Sequence, residues 1–223
     1  MTGVPADLAA RLRGFGPVGI LAILVIVGAG VFLGSIVSAA LVLVWAGLSR
    51  TPWSELGFSR PRSWAWTLVS GVVFGAAFKL LMKAIVMPLL GADPINRAYH
   101  YLAGNRAALP GILFAVVVGG GFAEETFFRG YLFERGRKVL GTGKAATIAM
   151  VLVTSALFAA GHYADQGIAG TEQAAVTGLV FGSIFAVTRR LWFPIVAHAA
   201  FDVAAVALIY WDVETQVAHL VFK

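Results

Sequence analysis

Apolar residues run in long unbroken stretches along this chain, separated by short segments rich in charge, proline and glycine. From Val18 to Leu48 no charged residue occurs for 31 positions. Further apolar segments cover residues 64–90, 108–135, 145–163, 173–188 and 193–211. A bilayer-spanning helix needs about 20 such residues, so the pattern predicts an all-α, multi-pass bundle of about six spans. The first is long enough to tilt or to extend past the hydrocarbon, and the fifth is short enough to be partly re-entrant. Between the spans, Ser49–Ser63 holds Pro52, Gly57 and Pro61, and Gly91–Arg106 holds Pro94 and Gly104. Gly141–Gly143 separates the third span from the fourth, and Asp165–Glu172 reads as a loop containing Gly167 and Gly170.

Composition agrees with the pattern. Of the 223 residues, 59% are hydrophobic and 13% are charged, about half the charged share of a soluble domain. Too few polar side chains exist to cover a water-facing surface, which excludes a soluble enzyme and a disordered chain. The absence of Cys excludes disulfide frameworks and thiolate chemistry. Neither an internal repeat nor a soluble domain interrupts the sequence, so residues 1–223 read as a single integral-membrane domain.

The net charge of +6 would suit a nucleic-acid partner, but the cations gather at the ends of apolar runs rather than in a patch. That placement is the one seen beside membrane spans. Arg11 and Arg13 before the first run resemble a signal peptide, yet a signal core is about 7–15 residues, so the segment is expected to stay as a helix. The first, third and fifth connections hold Arg50, Arg60, Arg62, Arg135, Arg137, Lys138, Lys144, Arg189 and Arg190, against Arg11, Arg13, Arg97, Arg106 and Lys223 on the other side. The positive-inside rule then puts the odd connections in the cytoplasm. Gly30–Gly34, Gly71–Gly75 and Gly178–Gly182 have the small-residue spacing that lets helices approach, and packing within one bundle is their expected use.

Ionisable residues inside spans are costly and default to function. The third span contains Glu124, Glu125 and Arg129, the fourth ends in Phe158 and His162, and the sixth contains His198 and Asp202. At i,i+4 spacing Glu125 can pair with Arg129, and His198 lies with Asp202. Glu124 is expected to point about 100° away from Glu125, toward a different neighbour. Two adjacent carboxylates do not both ionise cheaply in a dry interior. Arg129 holds Glu125 as a carboxylate, which leaves Glu124 as the group able to take and return a proton. Taken singly, each of these residues could be an interhelical staple or a proton relay; together, on three helices, they point to a site. Lys79 and Lys83 in the second span read as snorkelling or cavity-lining residues without chemistry, and Gly119–Gly121 as a run that loosens the third span before the site.

In this order, Glu-Glu-x-x-x-Arg (Glu124, Glu125, Arg129), Phe-x-x-x-His (Phe158, His162) and His-x-x-x-Asp (His198, Asp202) resemble the CPBP intramembrane proteases, formerly called the Abi family, which include the type-II CAAX prenyl endopeptidases. The resemblance covers roughly residues 119–205, expected to be the catalytic core. It implies a polar cavity sealed from lipid and open toward the cytoplasmic side. It also implies that Glu124 activates water with His162 as partner, that His198 and Asp202 stabilise an oxyanion, and that Glu125 and Arg129 are structural. Asp202 stands where the best-studied eukaryotic members have Asn, so it would be protonated, orient His198 or ligate a metal. His162, His198 and a carboxylate would suit zinc with an open fourth position, but no His-Glu-x-x-His motif is present and the metal-free route is favoured.

A depth count sharpens one expectation. At 1.5 Å per residue, Glu124 lies about 25 Å from the Gly141 turn and His162 about 30 Å, whereas His198 is only about 12 Å from Arg190. They meet if Tyr131–Val139 lies at the interface rather than within the membrane. The resulting expectation is an endopeptidase acting on membrane-associated peptides in a cell membrane. Alanine- and glycine-rich spans suggest a bacterial source, where CAAX prenylation is not expected. A non-catalytic immunity or scaffold protein and a proton-coupled transporter are the alternatives.

Overall fold

The computed structural model describes residues 5–222, and these are helical with no strands. A short helix α1 (Ala6–Arg13) leads into α2 (Pro17–Phe32) and α3 (Ser35–Leu48). Next come α4 (Trp64–Leu89) and α5 (Leu109–Leu140), then α6 (Lys144–Thr188), α7 (Trp192–Tyr210) and a terminal turn of helix, α8 (Glu214–Ala218). The helices α4, α5, α6 and α7 are each long and apolar enough to cross a membrane. Their outer faces, and that of α2, carry exposed apolar side chains such as Val69, Val73, Ile148 and Leu152, and Leu21 and Leu24 on α2, the surface of a protein solvated by lipid rather than water.

Two boundaries differ from the sequence expectation. The uncharged run 18–48 is not one tilted span. It breaks at Leu33 and Gly34, where Gly34 takes φ +93°, a conformation glycine adopts without strain. The chain then folds back: Ser38 donates to the Ile26 carbonyl at 2.9 Å, and Trp45 Nε1 donates to the Leu12 carbonyl at 3.1 Å. Hydropathy is blind to this turn because none of its residues is polar. The second difference concerns 165–172, which is not a loop. Helix continues on both sides of Gly167 (φ +64°, ψ −158°), the only non-helical residue in α6. The two arms, 144–166 and 168–188, run antiparallel, since a Cβ on Gly178 would touch Ser155 and one on Gly182 would touch Val151. The second arm is therefore a full-length helix and not a re-entrant fragment.

Small residues set the remaining helix spacing. A Cβ on Gly75 would lie 2.0 Å from the Ala197 carbonyl oxygen, and one on Gly71 would lie 2.8 Å from Val196, so α4 and α7 touch through backbone. Gly75→Val is expected to lower stability by about 3 kcal/mol, the upper end of the overpacking range, because a carbonyl cannot move aside as a side chain can. Gly28→Val, in open space on α2, is the control. Reversible unfolding of both variants in detergent checks the contrast.

Folding 18–48 into a hairpin relocates the first two arginines. The Arg13 guanidinium donates to the Arg50 carbonyl, and Arg135 Nη1 donates to the Arg13 carbonyl at 2.7 Å. Glu55, Glu134, Arg137, Lys138 and Arg189 line one depression at the same end. The bundle thus gathers eleven cations at one end: Arg11, Arg13, Arg50, Arg60, Arg62, Arg135, Arg137, Lys138, Lys144, Arg189 and Arg190. At the other end, among the described residues, the connections carry Arg97 and Arg106. Tyr131–Val139 remains helical as the last turns of α5. Its Arg135 stacks 4.6 Å over Trp45, level with the other cations of that end. At the opposite end Lys83 of α4 and Glu214 of α8 form a buried ion pair at 2.7 Å. The Asn96 amide donates to both Glu214 oxygens at 3.2 Å, so α8 pins the 91–108 connection to the bundle.

Candidate active site

The fold brings the polar residues of α5, α6 and α7 to one place. Residues 115–132 of α5 carry i→i+5 hydrogen bonds instead of i→i+4, a winding that marks functional sites in other helices. Gly120 and Gly121 let α7 approach this segment closely. A Cβ at Gly120 would lie 2.5 Å from Asp202 Oδ2, and one at Gly121 would lie 2.6 Å from the Ala199 Cβ. The glycines thus admit a neighbouring helix, a use that the expectation of local loosening did not capture.

His198 is the hub. Its Nδ1 lies 2.8 Å from Glu125 Oε1, and the same oxygen accepts from Arg129 Nη1 at 2.8 Å. Glu125 and Arg129 are both 0% exposed. A carboxylate paired with arginine only accepts, so Nδ1 carries the hydrogen and Nε2 is the nitrogen left for chemistry. On that side, Glu124 Oε2 stands at 3.8 Å and Asp202 Oδ2 at 3.5 Å. These two side chains keep 21% and 24% of their surface accessible. The wider π turn sets consecutive side chains at a smaller angle than 100°. Glu124 and Glu125 therefore reach opposite nitrogens of one imidazole, not different neighbours.

His162 lies on the wall of the same cavity as Glu124. Its Nδ1 is bonded to the Phe158 carbonyl at 2.8 Å. Phe158 is the spacer among the polar groups. Its ring packs 4.5 Å from His162 and 5.8 Å from His198, and the Arg129 guanidinium sits 4.7 Å over it. Phe181, from the second arm of α6, covers the other side of His198 at 5.1 Å. No sequence signal singled out Phe181, because an aromatic in an apolar run is unremarkable until the fold places it.

The cavity holds about 190 Å³ and has Glu124, His162, His198 and Asp202 on its walls. It extends away from the basic end, to Asn96, Tyr99 and Leu102 of the 91–108 connection and Gln166 of α6. Lys79 lines it as well, although sequence reasoning gave Lys79 no chemistry. Three carboxylates (Glu124, Glu125, Asp202) thus share a small volume with Arg129, Lys79 and His198, and the charges cancel when His198 is protonated. Among the described residues no three His, Asp or Glu side chains converge so as to hold a metal ion. By that measure the donor set does not form the zinc site that His162 and His198 suggested.

Residues 106–204 match the family described as type II CAAX prenyl endopeptidase Rce1-like. This stretch is similar to that family over just under half of the chain. It spans α5, α6 and the first two-thirds of α7, and it contains Glu124, Glu125, Arg129, Phe158, His162, His198 and Asp202. No curated protein and no solved structure matches the chain. Residues before the matched stretch also line the cavity, through Lys79 of α4 and Asn96, Tyr99 and Leu102 of the 91–108 connection.

Proposed function

We propose that the protein is an intramembrane endopeptidase in which Glu124 activates water beside an imidazole held by a buried ion pair. The observation that carries this reading is His198, with Nδ1 fixed by Glu125 and Arg129 and Nε2 turned to Glu124 and Asp202, at the inner end of a polar cavity among apolar helices. Glu124 takes a proton from water, and the hydroxide adds to the scissile carbonyl. His198, its Nε2 hydrogen held near Asp202, and His162 face the oxyanion that forms. Donors prearranged in a dry site are worth most at that step. When the carbon–nitrogen bond breaks, Glu124 returns its proton to the leaving amine, so the enzyme is regenerated. In this scheme Asp202 orients His198, a task for which its negative charge is suited. The catalytic core is residues 119–205, all but the last of them in the matched stretch, and the substrate is a membrane-associated peptide.

Orientation follows from charge. Among the described residues, eleven cations against two support a cytoplasmic basic end. On that orientation the cavity reaches toward the outer face, whereas the family resemblance implies a cytoplasmic opening. A proton-coupled transporter is disfavoured by the packing of Phe133, Phe185, Leu191 and Ile195, which fills the bundle between the site and the basic end.

Cleavage of a quenched CAAX-type peptide by the detergent-purified protein, with and without chelator, tests the reading. Chelator-resistant cleavage is expected. Chelator-sensitive cleavage accompanied by stoichiometric zinc would overturn the metal-free mechanism, and a folded protein that cleaves nothing would favour the scaffold alternative.

A further inference from the structure

At the basic end, two arginines without a carboxylate partner share one small depression. Arg137, in the last turn of α5, and Arg189, just after α6, line it with Glu55, Glu134, Lys138 and Thr142, around about 310 Å³. Its two carboxylates are already engaged. Glu134 accepts from Arg135 Nη2 at 2.8 Å, and Lys138 lies 3.0 Å from Glu55 and 3.6 Å from Glu134. Among the described residues no carboxylate comes within ion-pair distance of Arg137 or Arg189. Burial and the charge of Arg137 both act against the Arg189 cation, whose pKa falls to about 10. Both arginines therefore stay charged at neutral pH and repel each other. The Arg189 guanidinium lies 4.8 Å over the Phe185 ring. Its backbone ends α6 in the left-handed conformation, φ +55°, where glycine is usual, so this side chain is kept at a conformational cost.

Bare apolar side chains flank these residues in the chain. Val139 and Leu140 follow Lys138, and Val187 precedes Arg189 by two positions; they are 65%, 52% and 85% exposed. Arginines beside exposed aliphatic residues, on a bundle solvated by lipid, mark the level where headgroups meet hydrocarbon. We infer that Arg137 and Arg189 together bind the phosphate of an anionic phospholipid, whose acyl chains lie against Val139, Leu140 and Val187. Guanidinium groups present forked donors that fit phosphate oxygens, and basic pockets between membrane helices suit anionic headgroups. The negative charge offsets the repulsion between the two cations, and Thr142 adds a hydroxyl on the same wall. Arg137 belongs to the helix that carries Glu124, and Arg189 to the connection into the helix that carries His198. The lipid thus ties together the ends of two elements that build the candidate active site. It is a structural ligand with no part in the chemistry.

Lipid binding to the intact chain in a neutral detergent tests this, read by native mass spectrometry and by the thermal unfolding midpoint. Wild type should hold phosphatidylglycerol about 10-fold or more tighter than phosphatidylcholine, and only phosphatidylglycerol should raise the midpoint. Arg137→Gln and Arg189→Gln should each weaken phosphatidylglycerol by about 10- to 100-fold, the value of one charge-assisted hydrogen bond. Arg62→Gln removes a cation of the same end outside the depression, and it should bind as wild type does. Without lipid, Arg137→Gln should be no less stable than wild type, because it relieves repulsion. Equal retention of the two lipids by wild type would overturn the site. So would a loss in Arg62→Gln as large as that in Arg137→Gln, the mark of diffuse attraction, or a lowered Arg137→Gln midpoint with unchanged lipid binding. Inorganic phosphate and glycerol phosphate form the soluble arm. A midpoint shift from either, at the concentration at which the lipid acts, would assign the depression to a free phosphate and overturn the lipid. Should one arginine variant fail to fold, the other decides.

Discussion

Replacing Glu124 by Gln should abolish peptide cleavage while leaving the protein folded. Loss of a positioned general base lowers rate by about 10²- to 10⁴-fold, and here the same group also delivers the proton to the leaving amine. Stability should change little. Glu124 keeps 21% of its side-chain surface accessible, and its approach to His198, at 3.8 Å, is longer than a hydrogen bond. Gln has nearly the same volume and still fits the cavity wall. Activity against the quenched peptide and the unfolding midpoint in the same detergent are the paired measurements. A large drop in the midpoint would mark Glu124 as a structural residue and remove the basis for its role.

The opposite signature is expected at the buried pair of Glu125 and Arg129. Arg129→Leu should destabilise by about 3–5 kcal/mol, because it strands the carboxylate of Glu125 in a dry interior. Against a total stability of about 5–15 kcal/mol, that loss would empty much of the folded population. Arg129 also reaches the Gly178 carbonyl at 3.4 Å, tying α5 to the second arm of α6, so the bundle loses a cross-link as well. Glu125→Leu should be similarly harmful, since it leaves the guanidinium unpaired. The double variant should recover a large part of the loss, as buried pairs replaced by apolar side chains commonly do. Yet it should remain inactive, because His198 Nδ1 no longer has the oxygen that fixes its hydrogen. Denaturation of the two singles and the double, each assayed for cleavage, completes the cycle. Strongly additive losses in the double would mean that Glu125 and Arg129 act through other partners.

The contrast between adjacent glutamates shows how far the sequence carries. The motif spacing was enough to group Glu125 with Arg129 and His198 with Asp202, because i,i+4 contacts are local. Span positions over 64–90 and 193–211 were legible for the same reason: twenty apolar residues admit few alternatives. What the sequence did not convey depends on backbone geometry that side-chain chemistry does not encode. The π winding over 115–132 turned Glu124 and Glu125 onto one imidazole, and no residue type announces it. The reversals at Gly34 and Gly167 lie in runs where one glycine looks like any other. Lys79 was read as snorkelling or lining the cavity, and the structure has it lining the cavity; its partner, Gln173, is 94 positions away and is supplied only by the fold.

The hairpin of α2 and α3 has a consequence for the surrounding lipid. These helices have 16 and 14 residues, about 24 and 21 Å of helix, against a hydrocarbon layer of about 30 Å. The helices α4 to α7 have no such shortfall, so the molecule presents a tall flank and a short one. A bilayer meets a short flank by thinning, and α3 packs against the helix that carries Glu124. Headgroups and water are therefore expected to be drawn inward on the side of the bundle that carries Glu124, and the length of the first hairpin predicts a preference for thin membranes.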